Sequence, residues 1–261
     1  MLAYGVEKQE AHTLPEGKRR MTDGVETLKV ITSGGFAAVY RDVLPEFEQR
    51  TGIKVETGSG ASEGTGPETI RNELANGTRA DVVILGREGL QRLIDDGRIA
   101  AGSAMDLATA ALGAAVRAGS SKPDIGTDVA FMTALIDAGQ VVAPGSTSGL
   151  YVRDKVFPKL NLPETVKLRL EPGGTEAAEV LRAGKANILI GPISELIQEI
   201  GIDVVGLLPS DLQLIVTFTA AIVKDCQMPE AAKRLIDFLS SDTDDLLAAI
   251  QRVGMELPST N

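Results

Sequence analysis

The sequence is poor in residues on which many enzymes and metal sites depend. It has no tryptophan, 3% aromatic residues, one cysteine and one histidine in 261 residues. Because Cys226 is the single cysteine, an intrachain disulfide is impossible and a cysteine-based metal site is not expected. The single histidine, His12, lies near the amino terminus, so the folded body cannot assemble a Ser-His-Asp triad or a histidine cluster. We therefore expect neither a metal nor a cofactor.

The sequence also has no long apolar run and no cluster of Lys or Arg that suggests a nucleic-acid footprint. The longest apolar runs, such as Leu214 to Val223, are far shorter than the roughly 20 residues of a membrane span. The chain has 26 Lys and Arg residues against 36 Asp and Glu residues, a net charge of -10. The scarcity of aromatic side chains disfavours stacking platforms for bases. Neither nucleic acid nor membrane insertion is therefore expected.

The first 26 residues differ from the rest of the chain and are expected to be a disordered extension. They lack the apolar segment of about 7 to 15 residues that a secretory signal contains. Met21 is an alternative to Met1 as the start of translation. As written, the chain is expected to be cytoplasmic, whereas a mature form whose signal had been replaced would be periplasmic.

Strand and helix patterns alternate after this segment. Leu28 to Thr32 is predicted as a strand, and apolar positions at helical spacing predict a helix from Phe36 to about Arg50. The same unit recurs along the chain. Further strands are predicted at Ile53 to Thr57, Asp81 to Leu85, Val141 to Ala143, Lys167 to Leu170, Asn187 to Ile190 and Ile202 to Leu207. This alternation favours an α/β fold with a parallel sheet and helices on both faces.

Loops rich in glycine, serine and threonine follow the predicted strands. In an open parallel sheet such loops gather at the carboxyl ends of the strands, where ligands bind. Thr65-Gly66-Pro67-Glu68 carries helix-start signals, and a helix start presents free N–H groups to an anion. No residue is assigned as catalytic. The predicted ligand-binding residues are Ser33, Gly34, Gly35, Ser62, Thr65, Gly66, Arg87, Ser146, Thr147, Ser148, Gly174, Thr175, Pro192 and Ser194.

Other interpretations of these residues stay open. Any one of the loops could be an ordinary helix cap or turn. Arg87 could bind a carboxylate or be a solvated turn residue, and Arg71 has the same two interpretations. Glu195 could be a base or a charge favoured by the helix start. A dinucleotide site is disfavoured because the G-x-G-x-x-G that begins at Gly58 has Glu63 in its last position.

The chain resembles type II solute-binding proteins, specifically their molybdate-binding branch. The resemblance is carried by LKVITSGGFAAVYRDVLPEFEQRTGIKVETGSGAS at residues 28–62 and by ETIRNELANGTRADVVIL at 68–85. It implies two Rossmann-like α/β lobes joined by a hinge of two strands, which we assign to Ala108 to Ala118 and Leu214 to Val223. On this basis we expect residues 27–108 and 219–261 to form lobe 1 and residues 109–218 to form lobe 2.

The resemblance also implies a ligand held between the lobes. Carried over, the first lobe contributes Gly35 and the Ser62 to Thr65 region, and the second contributes Ser148, Thr175 and the Gly191-Pro192 turn. Glycine replaces a hydroxyl residue of the molybdate pattern at position 35 and a tyrosine at position 191. Hydroxyl residues stand at 148 and 175 where small or apolar residues are usual, and the loop at 58–67 is longer. These departures favour a roomier, more polar pocket.

Three functions are compatible with this resemblance. The first is a solute-binding protein that clamps a small anion, an organic carboxylate or a molybdate-like oxyanion, and that delivers it to an ABC transporter permease if it is exported. The second follows from a resemblance to an aconitate isomerase-like group in PISEL at 192–196 and AVRAGSSKPDI at 115–125. A cofactor-independent isomerase would need an acid or base, for which the candidates are Glu63, Glu195, Tyr40 and Tyr151. The third is sensory binding in the cytoplasm.

Overall fold

A computed structural model of the chain describes residues 27–64 and 66–258, so the predicted extension lies outside the described residues. Nine strands are found in the described part of the chain. They are β1 (Thr27–Thr32), β2 (Lys54–Ser59), β3 (Val82–Gly86), β4 (Met105–Arg117), β5 (Gln140–Pro144), β6 (Lys167–Glu171), β7 (Ile188–Pro192), β8 (Ile202–Leu207) and β9 (Ile215–Ile222). All the strands predicted from the sequence are confirmed, with shifts of a few residues at their ends.

The helices lie between these strands and at the carboxyl end. They are α1 (Gly34–Thr51), α2 (Ile70–Ala75), α3 (Arg87–Asp95), α4 (Asp128–Ala138), α5 (Thr147–Tyr151), α6 (Phe157–Leu160), α7 (Gly174–Arg182), α8 (Ile193–Leu196), α9 (Pro229–Leu239) and α10 (Asp244–Arg252). A π-helical turn, Val152–Val156, joins α5 to α6, and a 3-10 turn, Ser210–Leu212, precedes β9. In residues 27–64 and 66–258 we find no helix with the length and apolar character needed to cross a membrane.

The strands form two parallel groups that meet at β4. The strand order is β2-β1-β3-β9-β4-β7-β5-β6, and β8 also pairs with β4. The first part of β4, from Met105 to Ala111, pairs with β9, and the part from Leu112 to Arg117 pairs with β7 and β8. The fold is thus a mixed α/β fold with two groups of strands, as the resemblance to type II solute-binding proteins implies. The division into lobes at 108/109 and 218/219 stays a prediction.

The sheet is not parallel throughout. Strands β1, β2 and β3 are parallel to one another, as are β5, β6 and β7. However, β9 is antiparallel to β3 and β4, and β4 is antiparallel to β7 and β8. The predicted parallel sheet is therefore correct within each group and wrong at the junction, because two strands there must run back between the groups.

A glutamine holds the point at which the chain returns beside β4. The side chain of Gln213 accepts a hydrogen bond from the Leu112 N–H at 2.7 Å and donates to the Leu112 carbonyl at 3.1 Å and the Leu208 carbonyl at 3.2 Å. The hydroxyl of Tyr151 donates to the Gln213 carbonyl at 3.2 Å. These bonds satisfy backbone groups where β4 changes partners, and they fix the two connecting strands against each other.

Helix α1 forms as its apolar spacing predicts. Its buried residues lie on one face and include Phe36, Val39, Tyr40, Val43 and Phe47. This face covers the first group of strands. The helix begins at position 34, two residues before the predicted start, directly after the last residues of β1.

The predicted helix start at Thr65-Gly66-Pro67-Glu68 is wrong. Helix α2 begins later, at Ile70, and Thr69 is its cap, since the Thr69 side chain accepts from the Asn72 N–H. The reason is a pairing within the loop: the Ala61 N–H donates to the Glu68 carbonyl at 2.9 Å, and the Ile70 N–H donates to the Ala61 carbonyl at 3.0 Å. These bonds, with a turn in which the Thr69 N–H donates to the Gly66 carbonyl at 3.3 Å, delay the helix until Ile70.

Candidate functional site

A cavity of about 280 Å³ lies at the carboxyl ends of the parallel strands. The segments that follow β1, β2, β5, β6 and β7 all contribute to it, and β9 supplies its floor. Its lining residues are Ser33, Gly34, Ser59, Gly60, Ala61, Ser62, Glu68, Pro144, Ser146, Thr147, Ser148, Pro172, Gly173, Gly174, Thr175, Glu176, Pro192, Glu195, Val216 and Phe218. This is the place where ligands bind in open α/β sheets.

Three buried hydroxyls line the cavity with no hydrogen-bond partner among the described residues. They belong to Ser33, Thr147 and Ser148, whose exposed fractions are 3%, 8% and 1%. A buried hydroxyl without a partner is costly, because it has lost water and gained nothing in return. Each can donate to a ligand oxygen. The three together therefore give the cavity free hydroxyl donors that a polar ligand could use.

Two long helices begin at the cavity wall. The residues before α1 and α7, Ser33 and Gly173, make no side-chain capping bond. The first helical residues, Gly34 and Gly174, line the cavity. The N–H groups of a first helical turn lack intrahelical partners and carry the positive end of the helix dipole. The cavity thus offers N–H donors for an anion from two directions.

The carboxyl of Glu195 lies between these two helix starts. A Cβ placed on Gly34 would lie 3.1 Å from Glu195 Oε1, and one placed on Gly174 would overlap Oε2. Glycine at both positions is what allows the carboxyl to approach. Its Oε2 is buried and has no hydrogen-bond partner among the described residues. Glu195 therefore presents an unpartnered carboxyl to the cavity.

Opposing influences act on this carboxyl. Burial, followed by the negative charges of Glu199 and Glu176, raises the pKa of Glu195 from 4.5 to about 7. The amino termini of α1 and α7 favour the ionised form. A carboxyl whose pKa lies near neutrality can give or take a proton at physiological pH.

Cationic side chains are absent from the described lining of the cavity. Its charged residues there are three glutamates, Glu68, Glu176 and Glu195. An anion in this cavity would therefore be held by hydroxyl and N–H donors and not by Lys or Arg. Such donors are sufficient to bind an oxyanion at a helix start.

The structure brings most of the predicted ligand-binding residues together. Nine of them line the cavity: Ser33, Gly34, Ser62, Ser146, Thr147, Ser148, Gly174, Thr175 and Pro192. Ser62 is already engaged, since its Oγ accepts from the Gly86 N–H at 2.9 Å. Thr175 donates to Glu199 Oε1 at 2.8 Å. The role of all nine in binding stays a prediction.

The other predicted residues lie elsewhere. Gly35 lies beneath the cavity, where a Cβ would overlap the Phe218 ring. Ser194 is fully buried and does not line the cavity. Arg87 forms an ion pair with Asp106 and lines a separate cavity. Gly66 lines a third one, and Thr65 lies outside the described residues.

That third cavity, of about 480 Å³, is the arginine-lined one. It contains Arg71, Arg92 and Arg153, which makes it an obvious competitor for an anion. Each guanidinium is already paired: Arg71 with Asp96 at 2.7 Å, Arg92 with Glu63 at 2.8 Å and Arg153 with Asp154 at 2.6 Å. An anion there would have to compete with these carboxylates.

The other acid or base candidates do not line the main cavity. The Tyr40 hydroxyl is hydrogen-bonded to Thr57 at 3.1 Å, and burial raises its pKa to about 12. Tyr151 donates to a backbone carbonyl, and Glu63 belongs to the arginine-lined cavity. Of the four candidates, Glu195 alone reaches the cavity at the strand ends.

Sequence analysis missed the residues of the cavity floor and one wall. Val216 and Phe218 come from β9, and Ser59 to Ala61 come from the end of β2. The register shows why Phe218 is there: it pairs with Gly86, the last residue of β3.

The comparisons with known proteins agree with this fold. A family model described as bacterial extracellular solute-binding protein matches residues 28–255. An aconitate isomerase from Pseudomonas sp is 36% identical over 234 residues, which are 89% of this chain and 88% of that protein. These two matches span nearly all of the described chain.

Two solved structures show the same fold at low sequence identity. The periplasmic molybdate-binding protein of Azotobacter vinelandii is 20% identical with a TM-score of 0.69, and the match covers 89% of this chain and 100% of that one. The sulfate-binding protein SubI of Mycobacterium tuberculosis is 20% identical with a TM-score of 0.67, covering 88% of this chain and 86% of that one. With the family match and the 36% identical relative, this chain belongs to the bacterial extracellular solute-binding protein family.

Proposed function

We propose that the protein binds a small organic anion with several carboxylate groups in the cavity at the strand ends. The observation that carries this proposal is the set of three buried, unpartnered hydroxyls of Ser33, Thr147 and Ser148 beside the starts of α1 and α7. Hydroxyl and N–H donors from several directions suit a ligand with several oxygens.

Size and family support a small solute. The cavity of about 280 Å³ is slightly smaller than common ligand pockets, which have volumes of about 300 to 1,000 Å³. In an exported form of the chain, lobe closure about β4 and β9 would trap the anion in the periplasm for delivery to an ABC transporter permease.

A thermal-shift series tests the proposal. Cis-aconitate, trans-aconitate, citrate, molybdate, tungstate, sulfate and phosphate are compared at one pH. A ligand at 100 times its dissociation constant stabilises the folded state by about 2.7 kcal/mol. We expect the polycarboxylates to raise the melting temperature most. If none of the seven anions raises the melting temperature, the proposal is contradicted.

A paired variant locates the binding. Ser148→Ala removes an unpartnered cavity hydroxyl and should weaken the shift, whereas Ser103→Ala removes a hydroxyl that bonds the Ala100 carbonyl away from the cavity and should leave the ligand response unchanged. An equal loss in both variants would contradict binding in this cavity.

An isomerase is the second candidate, and the carboxyl of Glu195 in the cavity favours it. Aconitate has a methylene carbon beside its double bond. An ionised carboxylate can take a proton from this methylene, the electron pair shifts the double bond by one carbon, and the proton returns to the former vinyl carbon. The carbon skeleton is symmetric, so the product is again aconitate, now free to have the other geometry. No cofactor is needed.

Proton NMR of each aconitate isomer with the protein in D2O tests this candidate. Interconversion with incorporation of solvent deuterium is expected from the wild type and not from Glu195→Gln. Stable cis and trans spectra over hours, together with binding in the thermal series, would leave the protein as a binder only.

A further inference from the structure

Glu195 poses an electrostatic problem for the proposed ligand. Its carboxyl occupies the space between the starts of α1 and α7, where an anion would seek N–H donors. Two ionised carboxylates in one desolvated site repel each other strongly. The described lining offers no Lys, Arg or His to offset this repulsion.

We propose that Glu195 binds the ligand through a shared proton, so that the anion enters the cavity together with one proton. This inference rests on the proposed function and deepens it. A proton between the Glu195 carboxyl and a ligand carboxylate turns the repulsion into an O–H to O⁻ hydrogen bond, which is among the strong ones. It also gives the unpartnered Oε2 a partner.

The charges around Glu195 act in the same direction. Glu176 faces it from the start of α7, and Glu68 lines the cavity from the segment before α2. Glu199 follows α8 and is paired with Arg182 at 3.0 Å, so this guanidinium is already engaged. Burial and two of these carboxylates raise the pKa of Glu195 to about 7, and a bound anion raises it further.

The shared proton has a consequence for ligand choice. A carboxylate is a good acceptor for a carboxylic acid because the two groups have similar proton affinities. Sulfate and molybdate are weaker bases and accept this proton less well. Glu195 therefore favours polycarboxylates over fully ionised inorganic oxyanions, in a cavity whose remaining donors would suit either.

Isothermal titration calorimetry in buffers of different ionisation enthalpy tests the proposal. Citrate is titrated at pH 8, where its carboxyls are ionised, into the wild type, Glu195→Gln and Glu176→Gln. We expect the wild type to take up about one proton per citrate and Glu195→Gln to take up none. Glu176→Gln keeps the Glu195 carboxyl but removes one of the charges that raise its pKa, so it should take up fewer protons than the wild type and more than Glu195→Gln.

The affinity should follow the same pattern. Above about pH 7, each pH unit should weaken citrate binding to the wild type up to tenfold, with little change for Glu195→Gln. Circular dichroism checks that each variant folds. If Glu195→Gln does not fold, Glu195→Asp keeps a titratable group, and its pH profile must still fall in the same way.

The outcomes separate the inference from the proposed function. Citrate binding with no proton uptake by the wild type, or equal uptake by Glu195→Gln, overturns the inference and leaves anion binding intact. A cavity that binds none of the anions overturns the proposed function and the inference with it.

Discussion

Two strand-to-helix junctions place a charged residue in similar positions of the chain and use it in opposite ways. Arg87 is the first residue of α3, directly after β3, and Glu195 is the third residue of α8, directly after β7. Arg87 pairs with Asp106 outside the main cavity, and Glu195 reaches into it. Since each residue turns a helix by about 100°, an offset of two positions rotates the side chain by roughly 200°. Helix phase, not charge, decides which of them reaches the main cavity.

The two junctions also differ in whether their polar groups have hydrogen-bond partners. At the end of β3, the Gly86 N–H is satisfied by the Ser62 hydroxyl. At the end of β7, the carboxyl of Glu195 stands unsatisfied between two helix starts. The Gly86 N–H at the first junction thus has a hydrogen-bond partner without a ligand, whereas the Glu195 Oε2 at the second has none among the described residues.

The largest predicted difference between the junctions is in how their charged residues make the stability of the folded protein depend on pH. The pKa of Glu195 is about 7 in the folded protein and about 4.5 when unfolded, so folded-state stability falls as pH rises through this window. Glu195→Gln removes this cost and should be more stable than the wild type by about 3 kcal/mol at pH 8, with the difference vanishing near pH 4. Urea unfolding at several pH values measures it. If the difference in unfolding free energy between Glu195→Gln and the wild type is the same at pH 8 and pH 4, Glu195 is not a buried titrating carboxyl.

A second prediction concerns the glycines at the start of α1. Gly35→Ala would force a Cβ into the Phe218 ring and should cost about 1 to 3 kcal/mol of stability. Gly34→Ala meets only the end of the Glu195 side chain, at 3.1 Å, so it should cost less stability but weaken anion binding. Thermal unfolding with and without citrate separates the two. Equal stability losses would mean that the wall near α1 is not packed as described.

A third prediction contrasts the Ser62 hydroxyl, which has a hydrogen-bond partner, with the Ser148 hydroxyl, which has none among the described residues. Ser62→Ala leaves the Gly86 N–H without an acceptor and should cost about 1 to 3 kcal/mol of stability. Ser148→Ala removes an unpartnered group, so the ligand-free protein should keep its stability, while citrate binding weakens about tenfold. Denaturant unfolding and calorimetry on both variants measure these effects. The reverse pattern would show that Ser62, and not Ser148, meets the ligand.

The smallest effect is expected at the other junction. Arg87 is more than half exposed and its ion pair with Asp106 is at the surface, so Arg87→Gln should change stability by less than about 1 kcal/mol. It should leave citrate affinity and its pH dependence unchanged. A large loss of affinity in calorimetry would bring Arg87 back as a ligand-binding residue.

Local patterns predicted the strands, the long helix α1 and the gathering of hydroxyl loops at the strand ends. Those features depend on periodicity and on helix caps, both of which are determined by residues close together in the sequence. The start of α2 could not be found in this way, because bonds between Ala61 and the 68–70 segment decide it. Thr65 and Glu68 carry the local start signal, yet α2 begins only after its cap at Thr69.

The orientation of charged side chains was the other limit of sequence analysis. Arg87 was predicted to bind the ligand, and Glu195 was considered only as a possible base or helix-start charge. Their directions depend on the residue at which each helix begins, and sequence patterns place a helix start only to within one or two residues. The role of Gln213 at the change of partners on β4 was also out of reach, since its partners Leu112 and Leu208 are fixed only by the assembled sheet.

A crystal structure of the protein with citrate or trans-aconitate tests the central claim most directly. We predict that a ligand carboxylate lies within hydrogen-bond distance of the Ser33 and Ser148 hydroxyls and of the N–H groups at the start of α1. A second carboxylate should contact Glu195. A ligand found instead among Arg71, Arg92 and Arg153, with the cavity at the strand ends unchanged, would contradict it.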